Sequence, residues 1–295
     1  MTVQAARTKA PDLAAAPRGT PRGSFYLVNG IRTHVVIVGD GPDVLLLHGF
    51  PDTHDVWRNQ IPALVAAGFR VIAPDLRGFG LTDIPSGGVR AYRIETLVAD
   101  VVALLDVLGI QKVRLVGHDW GAAIGWMVAI RHPARIDRYV AISVGHITSY
   151  ARGGLRQKLM GWYILLFQLR GFAEWIFSRN GFALLGRFAK LPQELANWRA
   201  NLERSGRLTA AMSYYRANLD LIVPRDRGEV RVPVMGIWSS RDIALVERQM
   251  TNSAHFCVAG WRYERIDGVG HWLPLEAPER LNPLLLSYLQ AAPCR

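Results

Sequence analysis

The sequence predicts an α/β protein: a mostly parallel sheet covered by helices on both faces, interrupted by one helical insertion. Three observations carry that expectation. From Phe25 onward, short β-branched runs alternate with longer helix-patterned stretches, the order that a parallel sheet with crossover helices requires. Between about His146 and Arg227 the alternation stops, strand-like runs are absent and the composition turns helical. It then resumes to the C-terminus.

The elements follow in order. Residues 1–23, MTVQAARTKAPDLAAAPRGTPRG, are rich in Ala, Pro, Gly and Arg, lack the apolar stretch of a secretory signal, and read as a flexible tail. FYLVNGIRTHVVIVGDG reads as a hairpin turning at Asn29-Gly30, a pair that accepts the positive φ angles of a tight turn. DVLLLHG, FRVIAPD, KVRLVGH and IDRYVAIS are successive buried strands, and VPVMGIWSS and YERIDGVGH are two more. Helices are expected around Trp57 to Ala67, Ile94 to Leu108, Gly121 to His132, Ile243 to His255 and Ala277 to Leu289. This gives a core of residues 24–145 and 228–295 and a helical cap over 146–227, dense in aromatics. Ligands of open α/β sheets bind beyond the carboxyl ends of the strands, so such a cap would roof the site.

Composition limits the functions open to the chain. The surplus of 35 Lys+Arg over 24 Asp+Glu gives +11, but the basic residues are scattered, so no nucleic-acid partner is expected. They are densest between Arg152 and Arg216, which suits either an anionic substrate or partner or a solvated face. Cys257 and Cys294 form neither a disulfide framework nor a metal-ligand spacing; a reducing cytoplasm fits, and no metal is expected. The most apolar run, LMGWYILLF from Leu159 to Phe167, is too short to span a bilayer and, flanked by basic and glycine residues, suits a surface-lying helix.

The chemistry concentrates at strand ends. LVGHDWGAAIG has the spacing of a sharp strand-to-helix turn, with a strand ending at Val116, a helix from Trp120, and Asp119 between small residues. The competing reading makes Asp119 an N-cap of that helix. LLLHGFPDT places a glycine-containing turn at another strand end, where the amides of Phe50 and Trp120 together could hold an oxyanion, while His48 reads as structural. YERIDGVGHWLPLEAPERL sets His271 on the same rim, and VMGIWSSRD supplies Asp242 from a neighbouring strand end. The chain order Asp119, Asp242, His271 is the nucleophile, acid, histidine order of this architecture.

HGFP, DLRGFGLTD, GHDWG, SSRD and GVGHW resemble the α/β-hydrolase fold superfamily, and in particular its aspartate-nucleophile branch of epoxide hydrolases and haloalkane dehalogenases. The resemblance covers about Phe25 to Leu289. It implies an α/β-hydrolase fold with an inserted cap, and attack by Asp119 at saturated carbon to give an ester that water, activated by His271 and Asp242, then cleaves. Epoxide hydrolases of this branch protonate the opened oxirane with two cap tyrosines. WYILLFQ and SYYRANL resemble the segments that carry them, which transfers the roles to Tyr163 and Tyr215, with Tyr214 the adjacent competitor. Phe50, Trp120 and Phe167 are the expected substrate contacts. HGFP leans away from haloalkane dehalogenases, which commonly place a polar or acidic residue at Phe50, and Trp120 departs from the arginine typical of fluoroacetate dehalogenases. The expected reaction is therefore cofactor-free hydrolysis of a largely apolar small-molecule epoxide to a diol. A haloalkane or haloacid dehalogenase, a cyclase opening an epoxide with the substrate's own hydroxyl, and a non-catalytic ligand-binding relative are the alternatives. Association into a homodimer is left open.

Overall fold

The computed structural model describes residues 23–291. The tail expected over residues 1–23 lies, apart from Gly23, outside the described residues, as does Cys294. β1 (Ser24–Val28) and β2 (Ile31–Val38) form the hairpin, with positive φ at Asn29 (45°) and Gly30 (79°). There follow β3 (Asp43–Leu47), β4 (Arg70–Pro74), β5 (Val113–His118), β6 (Ile136–Ile142), β7 (Val234–Ser239) and β8 (Trp261–Ile266). One eight-stranded sheet results, in the order β1-β2-β4-β3-β5-β6-β7-β8. β2 runs antiparallel to both its neighbours and the remaining pairs are parallel. Val44 through Leu47 are wholly buried, the continuous apolar run of a strand covered on both faces.

Helices α1 (Gln60–Ala66), α2 (Ile94–Val107) and α3 (Trp120–Arg131) connect the first parallel strands. Between β6 and β7 come α4 (Ile147–Ala151), α5 (Gly154–Met160), α6 (Trp162–Leu166), α7 (Phe172–Ala189), α8 (Leu195–Leu202) and α9 (Arg207–Ala217). α7 is broken by left-handed backbone at Asn180, Gly181 and Phe182. α10 (Glu247–Thr251) follows β7, and α11 (Leu273–Glu276) and α12 (Pro278–Leu289) follow β8. Two expectations shift. β5 continues to His118 rather than ending at Val116, because its register with β6 holds to His118 opposite Ile142. The helix expected over Ile243 to His255 is confined to α10 and a 3-10 turn, because the Asp242 carboxylate takes the N–H groups of Ala244 (2.8 Å) and Leu245 (2.9 Å) and commits them to a turn.

The sheet order positions the site. From β3 the chain goes to β4 on one side and then to β5 on the other, so a crevice opens beyond the carboxyl ends of β3 and β5. There the chain turns into α3 through Asp119, at φ 52° and ψ −119°. The turn demands small neighbours: a Cβ on Gly117 would overlap the carbonyl of Gly121, and one on Gly121 would overlap the Leu47 carbonyl of β3. α3 is buried from Trp120 to Ala129, and its polar contacts are satisfied, Trp126 Nε1 donating to Val144 O (2.9 Å) and the Tyr139 hydroxyl to Ala122 O (2.6 Å). Gly121→Ala should cost about 1–3 kcal/mol by overpacking against backbone that cannot give way. Denaturant titration would read this as a lower midpoint at unchanged slope; an unchanged midpoint would show that the contact yields.

Candidate active site

Phe50, Asp119, Asp242 and His271 follow the ends of β3, β5, β7 and β8 and converge on one rim of the sheet. Asp119 Oδ1 accepts the Phe50 N–H at 2.7 Å, and Oδ2 lies 3.6 Å from His271 Nε2. The Asp119 side chain makes no capping bond to α3, so its carboxylate faces the crevice and the N-cap reading does not hold. His271 Nδ1 lies 2.8 Å from Asp242 Oδ2, while Asp242 Oδ1 is held by the Ala244 and Leu245 amides. The histidine loop is tied down from beneath: Ser143 Oγ donates to the His271 carbonyl at 3.1 Å, His118 Nε2 lies 3.0 Å from the same oxygen, and Ser239 Oγ donates to Gly270 O at 2.5 Å. Of the two amides expected to hold an oxyanion, Phe50's is on the carboxylate. Trp120's stands in the first turn of α3, where a helix offers it no acceptor.

Charge in this pocket is confined to few groups. Burial opposes a proton on His271, but the Asp242 and Asp119 carboxylates outweigh it and push the imidazole up to about 10. Burial would raise Asp119, yet the His271 hydrogen bond and charge and the Phe50 amide together hold it below the ordinary carboxylate value. The resting pair is thus carboxylate and imidazolium. Burial pushes His48 and His118 down to about 4, leaving both neutral. His48 accepts from the Leu76 N–H (2.9 Å) and lies 2.9 Å from Gly49 O, a structural role as expected.

Above Asp119 the inserted helices roof an apolar cavity with two lobes that share Asp119, Tyr163 and Tyr215 in their walls. Phe50 and Phe167 line the second lobe and meet Tyr215 edge to face, with ring centroids 5.8 and 4.9 Å away. Trp120 lines the first and meets Tyr215 at 5.1 Å. Burial, reinforced by nearby groups that include the Asp119 charge, drives both Tyr163 and Tyr215 well above 10, so both hydroxyls stay protonated. Tyr214, one residue along α9, points elsewhere and donates to Arg77 O at 2.8 Å.

Two residues escaped the sequence reading. Tyr150 lines the first lobe, and its hydroxyl, raised by desolvation and by the Asp119 charge, is a third phenol at this cavity. Asp52 follows HGFP and looks like a turn residue. It is buried instead, accepting Trp198 Nε1 from α8 at 2.7 Å and Trp272 Nε1 at 3.0 Å, and the Trp272 ring packs on His271 at 5.0 Å. Among the described residues His34, His54 and Asp75 could offer a metal three donors, but both imidazoles sit at hydrogen-bond distance from Asp75 (2.9 and 2.7 Å), which makes the carboxylate a bridge between them.

Burial raises Asp52 from 3.8 to about 7 against the pull of the two indole donors. The folded chain therefore keeps a proton that the unfolded chain releases above about pH 4, and stability from this group is lost as pH rises toward 7. Asp52→Asn removes that dependence. The stability of wild type relative to Asp52→Asn should fall between about pH 4 and pH 8, by on the order of 4 kcal/mol. Parallel pH profiles in urea melts would refute it.

A family profile for the alpha/beta hydrolase fold matches residues 42–278. The AB hydrolase superfamily protein YfhM of Bacillus subtilis is 33% identical over 90% of this chain and 97% of its own length. Epoxide hydrolase A of Mycobacterium tuberculosis is 30% identical over 92% of this chain and 98% of its own. Among solved structures, epoxide hydrolase A from Mycobacterium thermoresistibile superposes with a TM-score of 0.80 at 29% identity, covering 92% of this chain and 99% of that one. A Bacillus megaterium epoxide hydrolase reaches 0.83 at 27% identity, over 91% and 100%. The chain belongs to the α/β hydrolase fold family and stands there among the epoxide hydrolases.

Proposed function

We propose that the chain is an epoxide hydrolase that opens an oxirane to a vicinal diol through a covalent ester on Asp119, with the helical insertion of residues 146–227 as its cap. The observation that carries the reading is the position of one carboxylate: Asp119 lies 3.6 Å from His271 on one side and shares a cavity wall with Tyr163 and Tyr215 on the other. Relatives and solved structures named epoxide hydrolases support the substrate class.

A carboxylate is a poor nucleophile toward esters but displaces a leaving group at saturated carbon. In the first step an Asp119 oxygen bonds an oxirane carbon, the ring C–O bond breaks, and Tyr163 or Tyr215 gives its proton to the alkoxide. Esterification neutralises Asp119 and so removes one of the two charges that hold the proton on His271. That proton passes to the tyrosinate, and a neutral imidazole oriented by Asp242 is left. His271 then takes a proton from water, whose oxygen attacks the Asp119 carboxyl carbon. The tetrahedral oxyanion faces the amides of Phe50 and Trp120, each donor of this kind being worth about 10²–10³ in rate. The ester bond breaks, His271 protonates the departing alkoxide, and the new carboxylic acid returns its proton to His271. The sum is epoxide plus water to diol.

The apolar lining of both lobes suits a largely apolar epoxide. A dehalogenase is the rival, and a panel of styrene oxide, an alkyl bromide and fluoroacetate separates the two. Diol should form with wild type, vanish with Asp119→Ala, and fall about ten- to a hundredfold with Tyr215→Phe, Tyr163 remaining as acid. Halide release without diol would transfer the reading to a dehalogenase. His271→Gln should accumulate a substrate adduct on Asp119 by intact mass, because alkylation precedes the step that needs the base. Single turnover in oxygen-18 water should label the protein carboxylate; label confined to the diol would mean direct attack by water.

A further inference from the structure

We propose that the outward face of α5, α6 and the start of α7 docks on an anionic lipid surface. Seven of the thirteen exposed large hydrophobic side chains among the described residues fall between positions 155 and 175. They repeat helix by helix: Leu155 and Leu159 four apart on α5, Trp162 and Leu165 three apart on α6, Leu169 in the following turn, and Phe172 with Trp175 three apart on α7. Such spacings put each pair on one side of its helix. The opposite sides turn inward through Gln157, Ile164, Ala173 and Phe177. α6 and α7 therefore carry apolar side chains on both faces and α5 on its outer one, and among the described residues only the inner faces are packed against the rest of the chain.

Positive charge accompanies this face along the chain. Arg152, Arg156, Lys158, Arg170, Arg179, Arg187 and Lys190 are all exposed. The single acid between positions 152 and 190 is Glu174, already paired with Arg216 at 2.6 Å. Exposed Leu, Trp and Phe interspersed with Arg and Lys are the composition of an element that lies in the bilayer interface beside anionic headgroups. No helix among the described residues is long and apolar enough to cross a membrane, so the fit is to the surface. A second copy of the chain suits the face poorly: two-fold pairing would bring Arg156, Lys158 and Arg170 of one copy toward the same basic side chains of the other. Docking also has a use for the site, since α6 carries Tyr163 on its inner side and its roof would rest where apolar small molecules dissolve.

The test is sedimentation of the full chain with vesicles of phosphatidylcholine alone or mixed with phosphatidylglycerol. Binding is expected to the mixed vesicles at low salt, to weaken as salt rises, and to be absent from phosphatidylcholine. Arg156→Gln and Lys158→Gln should each lower the partition coefficient about fivefold. A combined Leu155→Ser, Leu165→Ser and Leu169→Ser variant, altering only exposed side chains, should lower it further at every salt concentration. Asp119→Ala should bind like wild type, so failure here and failure of the epoxide reading are separate results. No sedimentation with anionic vesicles, or sedimentation indifferent to both sets of substitutions, would overturn the proposal. So would a dimer in analytical ultracentrifugation that the serine variant dissociates, which would make the face a contact between copies.

Discussion

Holding a non-glycine residue at φ 52° and ψ −119° costs on the order of 1–3 kcal/mol, and the turn at Asp119 persists because everything around it leaves the chain no other path. β5 lies between β3 and β6 in the middle of the sheet, and α3 returns across it buried nearly all round. Gly117, Gly121 and the Leu47 carbonyl pack closely enough that no side chain fits between them. The consequence is directional. An aspartate in relaxed backbone at this position would fold its carboxylate back onto the free amides of α3, whereas the forced φ sends it across the crevice to the Phe50 amide and toward His271.

Once aimed there, the carboxylate joins a pocket with few counter-charges. Asp119 and Asp242 share one imidazolium, and the neighbouring imidazoles of His48 and His118 are neutral. A third carboxyl, Asp52, has two indole donors and, among the described residues, no cation paired with it, and burial keeps its proton on near neutrality. The charged pair is thus stable only while both carboxylates are ionised. Converting Asp119 to a neutral ester weakens the hold on the His271 proton, and the same side chain passes from cation to base with no movement of the backbone. That coupling lets one histidine serve both halves of the proposed cycle.

Features fixed by near neighbours in the chain were legible from the sequence. Asn29-Gly30 makes its hairpin because only those two residues need positive φ, and the buried strands announce themselves as apolar runs. Asp119, Asp242 and His271 were findable because each follows a strand at a rim that the sheet order brings together. What the sequence hid depends on distant partners. Asp52 is buried by Trp198 and Trp272, 146 and 220 positions away. Tyr150 resembles any cap aromatic until α4 sets it against the first lobe. The helix expected from Ile243 was cut short by a carboxylate whose amide bonds no periodicity encodes. Tyr214 and Tyr215 differ by one position, and a rotation of about 100° along α9 decides which meets the cavity and which the Arg77 carbonyl.

The raised tyrosines also bear on which leaving group the proposed site can serve. A phenol whose ionisation is opposed by burial and by the Asp119 charge is a weak acid, so it will not protonate a weakly basic group. An alkoxide released from an opened oxirane is more basic than a phenolate and takes the proton even from so reluctant a donor. A departing halide is too weak a base to take that proton and gains nothing from it. The same burial that keeps Tyr163 and Tyr215 protonated therefore selects for substrates that leave an oxygen anion attached to the carbon skeleton.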